Sequence, residues 1–344
     1  MGVTPTFRVL ANSADITAAV VERFIELSLT DETGVTSDML EITLADHAPS
    51  IQKPPKGAEL EVFLGYDGTT ERMGMFVCDE IEYCGWPSEM IIRARGAIFD
   101  KTPKGKANLQ SQKVRSWPKG TKLGDMVAKI AKEHGMEPAV SDSLKSIALP
   151  HIDQAEESDL NLLVRIGKNY DAIVKPADGK LVLAKRGESK SVSGKALSAL
   201  SLTPDDGISR FRVMETARES SGTVVAYWHD TKQSKRHEVK TGSGEPVTRL
   251  KRYFPTADMA IAAAKAEHAK RDRKKSTLSL SMPGRADVAA ETPLTLAGFR
   301  EGVDGQWVIT RVAHRLSKGN GYTTDIEAET PNTAGDSTQD VADE

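Results

Sequence analysis

Between residues 114 and 184 the apolar residues of this chain change their spacing, and that change limits the folds open to it. From Leu123 they recur at Met126, Val127, Ile130 and Ala131, the stripe of a half-buried helix. Thr121 is placed to cap its start, and Gly135 to end it in the left-handed conformation. A second helix is expected from Ser158, with Asp159 in its first turn and Leu160, Leu163, Ile166 and Tyr170 on one face. Segments 172–175 and 180–184 then flank Asp178-Gly179, a two-strand hairpin signal. Strand-like sequence precedes and follows, so the stretch reads as a helix–helix–hairpin insert between two β-rich halves.

In the first half, Ile25, Leu27 and Leu29 alternate with polar residues, as do Leu40, Ile42 and Leu44. Leu60, Val62 and Leu64 lead into a Tyr66-Asp67-Gly68 turn, and Met73, Met75 and Val77 return. With 81–83 and 90–95, these short strands predict a barrel or sandwich. Residues 101–113, with four lysines, read as a linker or exposed loop, and 186–201 as a second boundary. In the second half, 210–213 and 223–228 read as strands, and 229–250 as an exposed polar hairpin or loop. Thr256 caps an alanine-rich helix whose end carries Lys270, Arg271, Arg273, Lys274 and Lys275, charges that suit the helix dipole. Leu278, Leu280, Leu294, Leu296, the segment 307–316 and the alternation from Tyr322 to Ala328 complete the β pattern. Residues 331–344 are acidic and nearly devoid of apolar side chains, as a disordered tail would be.

The charge balance, 46 basic against 49 acidic residues for a net −3, argues against a dedicated nucleic-acid binder. No apolar run approaches the roughly 20 residues that cross a bilayer, and the first residues lack a secretory layout. After Met1-Gly2, Phe7 lies near where myristoylation needs Ser or Thr, so a cytoplasmic protein without a membrane anchor is expected. Cys78 and Cys84 read as small half-buried residues. The seven histidines (47, 134, 151, 229, 237, 268 and 314) form no helix-borne metal pair, and no hydrolase elbow, P-loop or dinucleotide fingerprint occurs. Glu156, Glu157 and Asp159 could pair as a glycosidase does, but acids in a first helical turn are what the dipole favours. His151 and Gln154, just upstream, could orient that helix as easily as bind a ligand. Neither catalysis, nor a cofactor, nor a metal is called for.

Two stretches carry a resemblance. One is RSWPKGTKLGDMVAKIAKEHG with HIDQAEESDLNLLVRIGKNYDA, which holds Trp117, His151, Gln154, Ser158 and Asp159. The other is GFREGVDGQWVITRVAHRLSKGNGYTTDIEAE, which holds Trp307, His314, Gly321, Tyr322 and Thr324. Together the chain resembles contractile phage tail hub proteins (the phage late control protein D family) and is similar to hubs of R-type tail-like bacteriocins and of type VI secretion spike proteins. That resemblance implies an α+β, mainly β chain with two similar β-barrel, tube-like domains. The expected divisions are a barrel over residues 1–100, an α+β insert over 101–190, a barrel with one long helix over 191–330 and a disordered acidic tail over 331–344. It further implies a non-enzymatic baseplate component of the virion or tail-like particle, assembled in the bacterial cytoplasm, in which the residues just named are structural. Three copies would form a pseudo-six-fold ring joining the tail tube, or a tube-initiator protein, to a separate spike protein. Other baseplate proteins and the tape-measure protein are further implied partners, with no specific nucleic acid and a lumen poor in clustered Lys and Arg. Two other readings remain open. TKLGDMVAKIAKEHG resembles the first helix of LysM modules, which points to a peptidoglycan-binding or peptidoglycan-degrading tail-associated protein, and the late-control label points to a DNA-binding late-gene regulator.

Overall fold

A computed structural model describes residues 3–34, 38–55, 57–96, 109, 111–177, 179–187, 197–216, 222–230 and 235–331, and the backbone of 338–340. Alternation in the sequence becomes burial in the strands: Leu27 and Leu29, Leu40, Ile42 and Leu44, and Leu60, Val62 and Leu64 all turn inward. At the Asp67-Gly68 turn both residues have positive φ, the geometry that matches strand twist in a two-residue hairpin. Cys78 is buried and Cys84 half-buried, and neither forms a disulfide.

The strands assemble mainly into one thirteen-stranded sheet that runs through both halves of the chain. Its order is Arg210–Glu215, Ser276–Pro283, Gly321–Glu329, Gly305–Ser317, Phe24–Glu32, Met39–Ala45, Glu89–Gly96, Thr69–Cys84, Glu59–Tyr66, Pro5–Ala11 and Ala14–Asp15. Pro293–Leu296 pairs with one end of Gly305–Ser317 and carries Leu200–Leu202 alongside it. The halves meet where Gly305–Ser317 lies antiparallel to Phe24–Glu32, from Arg311 opposite Glu32 to Ser317 opposite Glu26. The chain is mainly β, as expected, but among the described residues no sheet closes on itself. The two barrels expected of a single chain are therefore replaced by an open path of strands. Local alternation decides which face of a strand is buried; it does not name the distant strand that satisfies its edge. The long strands Thr69–Cys84 and Gly305–Ser317 shift register between Cys78 and Glu80 and between Ile309 and Arg311, irregularities that let one strand serve different neighbours along its length.

Buried apolar side chains gather in four clusters. One fills the first half and includes Leu316 and Tyr322 from the far end of the chain. A second holds the last strands, around Leu280, Trp307 and Ile326. The third spans Leu109 to Leu183. There the helix Leu123–Glu133 buries Leu123, Met126, Val127, Ile130 and Ala131. Its N-cap is Lys122 and not Thr121, whose hydroxyl donates instead to the Pro118 carbonyl at 2.7 Å. Gly135, φ +68°, follows its end. Helix Asp159–Gly167 is capped by Ser158, which accepts from Asn161 N at 3.2 Å. Leu163 and Ile166 are buried on it, joined by Leu162 and Val164, while Leu160 and Tyr170 are only partly covered. The hairpin pairs Ala172–Ala177 with Lys180–Lys185; Asp178 of its turn lies outside the described residues. Two pairings had no sequence signal: Glu137–Val140 adds parallel to Lys180–Lys185, and Gln112–Trp117 pairs with Ile152–Ser158.

The fourth cluster belongs to a smaller sheet ordered Val247–Phe254, Thr223–Asp230, Lys235–Gly242 and Thr338–Asp340. The helix Ala257–Arg273 packs Ala260, Ala263 and Ala264 against Val224, Ala226 and Val239. Thr256 caps it, accepting from Met259 N at 3.3 Å. Much of the polar stretch 229–250 is thus strand, and Thr338–Asp340 pairs with Lys235–Gly242 where disorder was expected. The remaining tail residues 332–337 and 341–344, linker residues 101–108 and 110, and residues 188–196 of the second boundary lie outside the described residues. Among the described residues no helix is long and apolar enough to cross a membrane.

Candidate functional site: buried polar clusters at the joints

The first group of motif residues converges beneath the helix Asp159–Gly167. A register shift between Gln154 and Glu157 breaks the strand, and Glu156 takes a positive φ of 50° there. The Gln154 side chain is buried. Its Oε1 accepts from Arg115 Nε at 2.8 Å and lies 3.4 Å from Trp117 Nε1, while its Nε2 donates to the Glu157 carbonyl and to Asp159 Oδ1 at 2.8 and 2.9 Å. Asp159 is 0% exposed and is the centre of the cluster. His134 Nε2, Lys113 Nζ and Arg115 Nη2 reach its oxygens at 2.7, 2.6 and 2.5 Å. Burial alone would raise its pKa, but the hydrogen bonds from His134, Lys113 and Gln154 and the Arg115 charge hold it well below the carboxylate range. Glu133 accepts from both Lys113 and Arg115 on the outer side, and Arg115 also lies 4.5 Å from the Trp117 ring centre. His151 stays outside, exposed, with a ring nitrogen 3.0 Å from Asp153. His134, Lys113, Arg115 and Glu133 were not singled out from sequence.

The second group splits. Trp307 is buried in the core of the last strands, its Nε1 donating to the Val303 carbonyl at 3.1 Å. His314, Tyr322 and Thr324 form a separate buried cluster. His314 Nε2 lies 3.3 Å from the Val288 carbonyl, which can only accept, so the Nδ1 nitrogen accepts from Tyr322 Oη at 3.0 Å; Thr324 Oγ1 is 3.2 Å from it. Burial pushes His314 down to about 4 against the Val288 bond, and pushes the Tyr322 phenol up. Gly321, φ +71°, turns the chain into that strand.

Two ionic joints that no motif announced tie these parts together. Lys175, on the hairpin, places Nζ 3.0 Å from Asp31 and 3.0 Å from Asp38 of the first half, beside a cavity of about 430 Å³. Ala290 N also donates to Asp31 at 2.8 Å. Burial and the Asp31 charge raise Asp38 to about 7, while Lys175, Ala290 and Asp38 keep Asp31 below its ordinary value despite burial. At the other joint the buried Arg273 grips both oxygens of Asp171 at 2.6 and 2.7 Å and reaches Glu329 at 2.9 Å. These carboxylates and imidazoles are engaged by neighbours in the fold, an arrangement suited to fixing parts. No group of three or more His, Cys, Asp or Glu able to hold a metal occurs among the described residues.

The family described as "Phage tail baseplate hub (GPD)" matches residues 102–320. The chain is 32% identical over 369 residues to the "Probable baseplate hub protein" of Escherichia phage 186, covering 94% of this chain and 92% of that one. It is likewise 32% identical to the protein of the same description from Escherichia phage P2, covering 95% and 93%. In fold it is similar to the prophage MuSo2 43 kDa tail protein from Shewanella oneidensis, with a TM-score of 0.69 at 16% identity, covering 94% of this chain and 98% of that one.

Proposed function

The chain belongs to the phage tail baseplate hub family and is a component of the phage tail baseplate, and from that premise we propose that three copies close into a ring joining the tail tube to the spike. The observation that carries this reading is the open sheet. Among the described residues, strand Arg210–Glu215 is paired on one side only, as is the Pro5–Arg8 part of the opposite edge strand. Phe211 and Met214 on the first edge are exposed. Unpaired, apolar edges are a liability in a free monomer and a resource in an assembly. A head-to-tail interface between unlike surfaces closes into a ring when its rotation permits. The tube-like halves, about 1–100 and 191–330 with the insert 101–190 between them, would then complete their sheets across chains, giving pseudo-six-fold symmetry from three copies.

The motif residues act in this reading as fasteners. Trp117, Gln154, Ser158 and Asp159 build the insert; Trp307, His314, Gly321, Tyr322 and Thr324 build the strands at the seam. His151 is the exception, exposed and available to a neighbour. The partners are a spike protein, a tube or tube-initiator protein, other baseplate proteins and the tape-measure protein, and the lumen is poor in clustered Lys and Arg. The chain performs no catalysis. Light-scattering mass on the isolated chain should give a trimer of 37.3 kDa protomers, in the presence of spike if not alone. A monomer under both conditions overturns the ring, and clearing of a peptidoglycan suspension overturns the non-enzymatic role.

A further inference from the structure

The long helix Ala257–Arg273, the strand Val247–Phe254 and the end of helix Asp159–Gly167 enclose a cavity of about 550 Å³. Its floor is apolar, from Val164, Ile173, Phe254 and Ala263. Its walls hold seven cationic side chains against three carboxylates, although the chain as a whole is net −3. The carboxylates are already engaged: Asp171 and Glu329 by Arg273, and Glu267 by Arg271. Lys168, Lys251, Arg252 and Lys274 are left without a carboxylate partner among the described residues.

Arg252 is the most informative of the four. Its guanidinium lies 4.6 Å over the Phe254 ring, and Nη2 donates to Asn169 Oδ1 at 2.7 Å, so the fork is fixed before a ligand arrives. Burial and the nearby Arg165 charge lower its pKa, the condition of a cation short of a counter-charge. A carboxylate in the cavity would supply that charge through bidentate hydrogen bonds. An apolar floor beneath a rim of cations suits an apolar side chain flanked by acids better than a bare ion. Phe254 is buried and already covered by Arg252, so it offers no platform for a stacked base. The described part of the chain's own acidic end, Thr338–Asp340, pairs instead with Lys235–Gly242, across the smaller sheet from Val247–Phe254.

We propose that this cavity docks an acidic peptide segment, with an apolar residue at its centre, presented by a neighbouring protein. This docking is independent of ring closure, because its walls come from within one chain. The test is fluorescence anisotropy of the full chain with a labelled Glu-Glu-Leu-Glu-Glu peptide. Wild type should bind it saturably, and added salt should weaken the binding. Lys251 and Lys274 are exposed, so Lys251→Glu combined with Lys274→Glu should keep the thermal melt and weaken binding about tenfold or more. If the double variant melts early, Lys251→Glu alone serves, with a smaller loss in the same direction. Absence of saturable binding, equal binding by a folded variant, or easier displacement by oligothymidylate of equal charge than by unlabelled peptide would overturn the proposal.

Discussion

Asp159 keeps its charge without touching solvent because His134, Lys113, Arg115 and Gln154 all turn toward it. Replacing it by Asn leaves those cations facing a neutral amide. Since Lys113 and Arg115 still reach water, the expected cost of Asp159→Asn is about 3 kcal/mol, at the low end for a broken buried pair, read from urea denaturation. Two other residues set opposite pH trends. His314, held near 4 against an ordinary 6.5, contributes stability that is lost as pH falls through that window. Asp38, raised from 3.8 to about 7, contributes stability present at low pH and lost as pH rises toward about 7. Asp38→Asn should therefore abolish that loss, gaining on the order of 2 kcal/mol over wild type at about pH 8 relative to about pH 5, by urea midpoints at the two values. An unchanged difference would refute the assignment. The sequence placed Asp159 in a first helical turn, where an acid needs no partner. Its cations lie 44 and 46 residues away on a strand with no periodic signature, so the cluster itself was not legible.

Helix and strand ends were legible where a side chain does the capping. Ser158 and Thr256 cap as their residue types suggest. Thr121 does not, because the helix start is pinned by backbone bonds: Leu123 N donates to the Ile147 carbonyl at 2.8 Å beside the Lys122–Ala148 bridge. Pro283 ends the strand Ser276–Pro283, and the Tyr322 ring presses against Gly284, which follows it. A Cβ on Gly284 would fall 2.1 Å from Tyr322 Cδ1 and Cγ. Gly284→Ala must displace that ring and with it the His314 bond, so we expect a loss of about 2 kcal/mol by thermal or urea unfolding. The strands Lys235–Gly242 and Val247–Phe254 were legible only as an exposed hairpin or loop, because charged residues crowd them and only Val239, Leu250 and Phe254 of these strands pack into the adjoining core.

At the level of the whole molecule, the mainly β character and the helices Leu123–Glu133, Asp159–Gly167 and Ala257–Arg273 followed from spacing, while the short helix Thr17–Arg23 and the union of the halves did not. The second stretch of the resemblance marks the strands that make this union, Gly305–Ser317 and Gly321–Glu329, without revealing that one of them reaches back to Phe24–Glu32. A chain truncated before Gly305 should expose that inner strand, and we expect it to be recovered as aggregate in sedimentation, with the intact chain soluble. The union also has a consequence in time. Arg311 meets Glu32 from 279 positions further along the chain, so during synthesis the early strand waits for a distant mate. Maturation then waits on that later segment, and the nascent hub must be sheltered, or translated quickly, until it emerges.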